Sequence, residues 1–225
     1  MAGSKTKFNR RDIDTLLLDM DGTVLDLAFD NYFWLELLPQ HLAQERRISL
    51  EVARRQMRSH TQRVLGTLQW YCIDHWSDLL GLDVGAIKHD VRHRIAYLPG
   101  ALEFLRLARH SGLRLIVVTN AHRRTLSIKL RQTHLERHVD AVFSSHDFGH
   151  PKESAEFWDR FEAAADVRRD RSVLVDDSPS VVEAGRKAGL AGAVMIARPD
   201  SRQPRRAATP GVDALADLRD WLAVD

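Results

Sequence analysis

The stretch Leu16-Leu17-Leu18-Asp19-Met20-Asp21-Gly22-Thr23-Val24-Leu25 decides the fold. A continuous apolar run ends in two carboxylates one residue apart, and a glycine then lets the chain turn away. In strand geometry residues i and i+2 point to the same side, so Asp19 and Asp21 can face one site. One can act as a nucleophile, the other can move a proton, and a divalent cation can sit between them. Alone, the stretch also fits an ordinary strand-to-turn junction. The rest of the chain decides between the two.

Four more short apolar runs, at residues 115–118, 141–143, 173–175 and 193–196, share the continuous character of 16–18. Strands buried on both faces read this way, as a parallel sheet covered by helices requires. Helical spacing lies between them: Ala101, Phe104, Leu105 and Ala108 fall at i, i+3, i+4, i+7, and Val181, Ala184, Gly185 and Ala188 repeat the pattern. The expected fold is α/β, a doubly wound, mainly parallel sheet.

The interval between the first and second runs is far longer than one crossover helix needs. Leu50, Ala53, Met57, His60 and Val64 mark a helical stripe there, and Trp70, Ile73, Leu79 and Leu80 a second amphipathic segment. Asp83 can cap a further helix, and Pro99-Gly100 returns the chain to the sheet. The expected organisation is a core of residues 1–25 and 99–225 with an all-helical cap at 26–98. Residues 199–210, with Arg202, Arg205 and Arg206, read as a polar, solvated loop.

Composition narrows the class. The 225 residues are 44% apolar and 28% charged, an ordinary globular balance. Lys+Arg 33 against Asp+Glu 31 leaves +2, so no strong field points to nucleic acid or an anionic membrane. The single cysteine, Cys72, excludes an intrachain disulfide and suits a reducing compartment. The polar N-terminal segment lacks the apolar centre of a signal peptide, and no run approaches a membrane span. The expected location is the cytoplasm.

Ligands of an open parallel sheet gather beyond the carboxyl ends of its strands. Asp19 and Asp21 follow the first run, and Thr119-Asn120 the second. Gly149-His150-Pro151-Lys152-Glu153 lies past the third, and Asp176-Asp177-Ser178 follows the fourth. A nucleophile, a hydroxyl, a lysine and an acidic pair thus converge on one sheet edge. Each fits phosphoryl transfer. Mg²⁺, a hard cation with oxygen ligands, offsets the repulsion between a phosphate dianion and an attacking carboxylate. Asp19 is the candidate nucleophile and Asp21 the candidate acid and base. Thr119 and Asn120 can bind phosphoryl oxygens, and Lys152 can stabilise charge in the transition state.

In this order the motifs resemble those of the haloacid dehalogenase-like (HAD) phosphohydrolases, over nearly the whole chain. The resemblance implies a metal-binding acidic motif, often G-D-S-x-x-x-D, and Asp177-Ser178 matches its D-S. Val181 stands at its last acidic position and Asp176 at its glycine. That departure leaves Asp177 as the inner-sphere ligand, beside Asp19 and Asp21, and Asp176 as an outer partner.

Residues 26–34, Trp70-Tyr71-Cys72, Thr119-Asn120-Ala121-His122 and Phe148 to Glu153 are similar to the bacterial GMP/IMP nucleotidases. That similarity implies a 5′-nucleotidase acting on purine nucleoside monophosphates. Asn31, Trp34, Trp70, Tyr71 and His122 are candidates for reading the substrate, with Tyr32, Asp74, His75 and Trp76 nearby. Aromatic faces can stack on a base, but the same tryptophans fit the cap's own core, and a solvated helix start also accounts for His122 and Arg123. A 2-haloacid dehalogenase has no use for Asp21, Asp176 and Asp177 together. A sugar-phosphate phosphatase or phosphomutase shares all four core motifs. A catalytically silent binding protein on this fold would lack the nucleophile or the lysine, and both are present.

Overall fold

A computed structural model describes residues 12–207 and 212–223. Most of the polar N-terminal segment and the end of the 199–210 loop therefore lie outside the described residues. The sheet has six parallel strands in the order β3-β2-β1-β4-β5-β6. They are β1 (Thr15–Leu18), β2 (Arg114–Thr119), β3 (Ala141–Ser144), β4 (Ser172–Asp176), β5 (Gly192–Ile196) and β6 (Ala214–Leu215). β1 sits centrally, with Leu18 opposite Val117 of β2 and Val175 of β4.

Alternation sorts the strands between two cores. Leu16, Leu18, Leu115, Val117, Val173 and Val175 belong to one buried cluster, with Ala101, Phe104 and Leu105 of α7 (Ala101–His110) and Leu126 of α8 (Arg123–Thr133). Leu17, Ile116, Val118 and Leu174 face the other way. There they meet Phe157, Trp158 and Phe161 of α9 (Ala155–Ala165), and Val181 and Val182 of α10 (Pro179–Lys187). Burying each large apolar side chain contributes about 1.5–3 kcal/mol. Both faces are covered, so the apolar runs are continuous.

The sixth strand is a difference from the sequence reading. Two residues, Ala214 and Leu215, add to Met195 and Ile196 of β5. The 199–210 loop is solvated at Arg202, Arg205 and Arg206, as its composition implies, but two of these arginines also anchor it. Arg206 bonds the carbonyl of Asp177 at 2.7 Å and its Oδ2 at 3.1 Å, and Arg202 donates to the carbonyl of Ala28 at 2.5 Å.

The long interval after β1 is helical. It comprises α1 (Ala28–Tyr32), a π-helical turn (Phe33–Leu37), α2 (Leu38–Arg46), α3 (Leu50–Val64), α4 (Leu68–Tyr71), α5 (Ile73–Leu80) and α6 (Val84–Asp90). Ser49 caps α3 and Asp83 caps α6 through its side chain. These helices share a buried cluster that includes Phe33, Leu42, Met57, Ile73 and Trp76. In the π turn the Leu38 N–H reaches back to the Phe33 carbonyl, five residues away. Pro39 follows, with no N–H to give to an ordinary helical turn.

The chain leaves and re-enters the sheet side by side. Leu25 and Tyr97 form an antiparallel bridge, Asp26 N–H donates to the Ala96 carbonyl at 2.9 Å, and Leu98 N–H to that of Val24 at 2.9 Å.

Candidate active site

A pocket of about 330 Å³ opens where the helical insert meets the carboxyl ends of β1, β2 and β4. The sheet side supplies Asp19, Asp21, Thr119, Asn120, Lys152, Asp176 and Asp177, and the insert supplies Asn31, Trp34, Trp70 and Tyr71.

Lys152 organises the sheet side. Its ammonium bonds Asp19 Oδ1, Asp176 Oδ2 at 2.7 Å and the Val118 carbonyl at 3.0 Å. Burial alone would lower this ammonium, but the carboxylates of Asp176 and Asp19 outweigh it and hold the group above ordinary lysine. Burial pushes Asp19 well above the usual carboxylate range; Lys152 opposes this, while Asp176 and Asp177 add to it. Asp177 is pushed up to about 7 by burial and by Asp176, against the pull of Arg206.

These carboxylates fit a hard divalent cation. One oxygen from each of Asp19, Asp176 and Asp177 lies within 4.8 Å of the others. The donor set is all oxygen, and burial together with the neighbouring carboxylates raises Asp19 and Asp177, so added positive charge among them relieves a conflict already in the chain. Asp176 stands inside this group rather than behind it. The carboxylate of Asp21 is outside it, although Asp21 lines the same pocket.

Gly22 makes the turn that brings these groups together. Its φ is +91°, and a Cβ there would lie 2.7 Å from Asp177 Cγ. Gly22→Ala is expected to lose about 1–2 kcal/mol to the left-handed backbone alone. Displacing Asp177 should also weaken Mg²⁺ binding by about tenfold or more. Urea unfolding and titration calorimetry read the two effects, and unchanged Mg²⁺ affinity would detach Asp177 from the metal.

Thr119 Oγ1 accepts from the Ala121 N–H at 3.0 Å, which leaves its own hydroxyl proton to donate. The Asn120 side chain is engaged in the frame. Its Oδ1 accepts from the Lys152 N–H at 2.9 Å and its Nδ2 donates to Glu153 Oε2 at 2.9 Å. Tyr71, on the insert, donates to Glu153 Oε1 at 2.8 Å, so Glu153 ties insert to core.

Trp34 and Trp70 stack with centroids 6.5 Å apart, and both remain partly exposed at the pocket. Trp76 is fully buried in the insert core, where its indole donates to the Trp70 carbonyl at 2.9 Å. Asn31 donates to Asp200 at 2.7 Å. His122 is not among the lining residues; it lies 3.6 Å from Asp74 and packs edge-on against His146, 4.9 Å between centroids.

Sequence reasoning missed Asp30, Lys88, Lys129, Glu153 and Arg206. Lys129 sits at 1% exposure and bonds Asp21 at 2.5 Å. One signal was available: Lys129 falls four residues after buried Thr125, and Lys88 four after buried Val84, both at apolar-face spacing.

A family model of haloacid dehalogenase-like hydrolases matches residues 13–189. The GMP/IMP nucleotidase YrfG of Escherichia coli is 39% identical over 191 residues, 85% of this chain and 86% of that protein. Among solved structures, a HAD phosphatase from Thermococcus onnurineus superposes with a TM-score of 0.77 at 22% identity, over 93% of this chain and 98% of that one. The magnesium-bound HAD-hydrolase YfnB of Bacillus subtilis gives 0.67 at 19% identity, over 94% and 97%. At those identities the two structures speak for the fold, and the sequence matches speak for descent. This chain belongs to the haloacid dehalogenase-like hydrolases.

Proposed function

We propose that the protein is a Mg²⁺-dependent phosphatase that hydrolyses purine nucleoside 5′-monophosphates through an aspartyl-phosphate. The observation that carries the reaction class is the grouping of Asp19, Asp176 and Asp177 around buried Lys152, at the end of a pocket lined by aromatic residues. Similarity to the E. coli GMP/IMP nucleotidase supports the purine preference. The domain division at residues 26 and 98 belongs to the same reading, with the sheet side breaking the ester and the insert choosing it.

Asp19, Asp176 and Asp177 would hold the cation, which supplies charge neutralisation for the phosphate dianion and its attacking carboxylate. Lys152 fixes the Asp19 carboxylate and adds a second positive charge beside it. Thr119 offers its hydroxyl proton to a phosphoryl oxygen. An Asp19 oxygen forms a bond to phosphorus as the ester P–O bond breaks, with that bond's electron pair going to the leaving oxygen. Asp21 gives the leaving oxygen a proton. Asp21 then takes a proton from water as the water oxygen bonds phosphorus, and Asp19 leaves as a carboxylate. Trp34 and Trp70 offer ring faces to a planar base.

Phosphate release from GMP, IMP and a series of sugar phosphates, with Mg²⁺ and with EDTA, tests both levels. GMP and IMP are expected to exceed sugar phosphates in kcat/KM by about tenfold or more, and EDTA should abolish turnover. Equal or faster turnover of sugar phosphates would remove the purine assignment and keep the chemistry. Turnover indifferent to EDTA would remove the metal.

A further inference from the structure

Besides Lys152, two lysines are fully buried among the described residues, and the reaction above uses neither. Lys129, on α8, donates to Asp21 Oδ1 at 2.5 Å and to Asp30 Oδ2 at 2.5 Å. Lys88, on α6, donates to the other oxygen of Asp30 at 2.7 Å, and its ammonium lies 4.6 Å from the ring centre of Phe33 and 5.2 Å from that of Trp34. The result is a chain of alternating charge, Lys88–Asp30–Lys129–Asp21. It runs from the insert, through the helix after the Thr119 loop, to the candidate proton donor.

Such a chain is a poor way to gain stability. Each buried ion costs several kcal/mol in desolvation, and apolar residues of similar volume often do as well or better. What the chain does supply is direction. Lys129 is not among the pocket-lining residues, whereas Asp21, Asp30 and Lys88 are. Lys129 therefore reaches Asp21 from behind the pocket, and it takes one oxygen of that carboxylate and not the other.

We propose that Lys129 is a positioning residue for the proton transfer: it holds Oδ1 of Asp21 so that Oδ2 is presented to the leaving-group oxygen, with Asp30 and Lys88 fixing Lys129 in turn. This rests on the phosphatase reading above. The proton on Oδ2 passes to the leaving oxygen as the P–O bond breaks, and that oxygen keeps the bond's electron pair. A misplaced Asp21 then costs most when the leaving group needs that proton. A nucleoside 5′-alkoxide needs it; p-nitrophenolate, a stable anion near neutrality, leaves without it.

Lys129→Met, assayed on GMP and on p-nitrophenyl phosphate beside the wild type, separates this role from simple support of the fold. Asp21 is also the base in the hydrolysis of the aspartyl-phosphate, a step that both esters share. The comparison is therefore made on leaving-group release in a single turnover with enzyme in excess. The expected loss is about 100-fold for guanosine and only about threefold for p-nitrophenolate. The double variant Lys129→Met/Asp21→Asn should be no slower on GMP than Asp21→Asn, because both changes remove one function. Asp30→Asn, which keeps the Lys129–Asp21 contact but loosens its anchor, should show the same split at about tenfold on GMP, and it carries the test if Lys129→Met does not fold. Equal losses on the two esters, or additive losses in the double variant, would overturn the role while leaving a phosphatase. A wild type inactive on both esters would overturn the phosphatase reading and this role with it.

Discussion

Asp19→Asn is expected to abolish phosphate release, by about 10⁴-fold or more, in a protein that stays folded. An amide at this position is neutral and cannot form the acyl-phosphate bond. It also removes one of three crowded carboxylates, and burial and those neighbours already push Asp19 well above its ordinary range. Lys152 keeps Asp176 as a partner at 2.7 Å, so the variant leaves no lone buried cation. The melting temperature should therefore hold or rise while turnover vanishes. Full activity in the purified variant would end the aspartyl-phosphate mechanism.

Lys152→Met is expected to fail in both respects. Its side chain is 2% exposed, and the ammonium serves Asp19, Asp176 and a backbone carbonyl at once. Removing one partner of a buried ion pair costs about 3–5 kcal/mol, since the other charge is stranded. For a chain of this length each kcal/mol moves the midpoint by about 2–4 °C. Turnover should fall by about 10³-fold, the scale seen when a preorganised charge beside a transition state is lost. Added Mg²⁺ should restore more of the melting temperature in the variant than in the wild type, because a cation bound only by the folded state can replace the missing charge. Thermal unfolding with and without Mg²⁺ reads this directly. Equal Mg²⁺ shifts in the two proteins would mean that relieving carboxylate repulsion is not what Lys152 does.

The legible part of this protein was what its strands impose. Runs such as 16–18 and 173–175 are apolar throughout because helices cover both faces of the sheet, so the positions of five strands and the doubly wound α/β class follow from sequence alone, while the order of the strands does not. The residues just after those runs had to meet at one edge, which is why Asp19, Thr119, Lys152 and Asp177 are found around one pocket. Ala214 and Leu215 escaped notice because two residues carry no period; pairing with β5 makes them a strand. The spacing of Asp19 and Asp21 suggested a shared site. It could not show that they would take different lysines, one from the loop before α9 and one from α8. Arg206 was hidden for a similar reason, since an arginine in a polar loop looks solvated until the loop is seen to fold back on Asp177.

The bridge between Leu25 and Tyr97 gives this architecture a freedom of its own. Two antiparallel backbones paired so closely can be joined by a turn of about two residues, so the sheet is already complete without whatever is strung between them. Added length at such a junction costs little, about 0.6 kcal/mol for each doubling of a flexible loop. Inheritance can thus lengthen, trim or exchange the intervening helices while the aspartate and its lysine keep their places. A lineage built this way can change what enters the pocket while Asp19 and Lys152 stay where the sheet puts them.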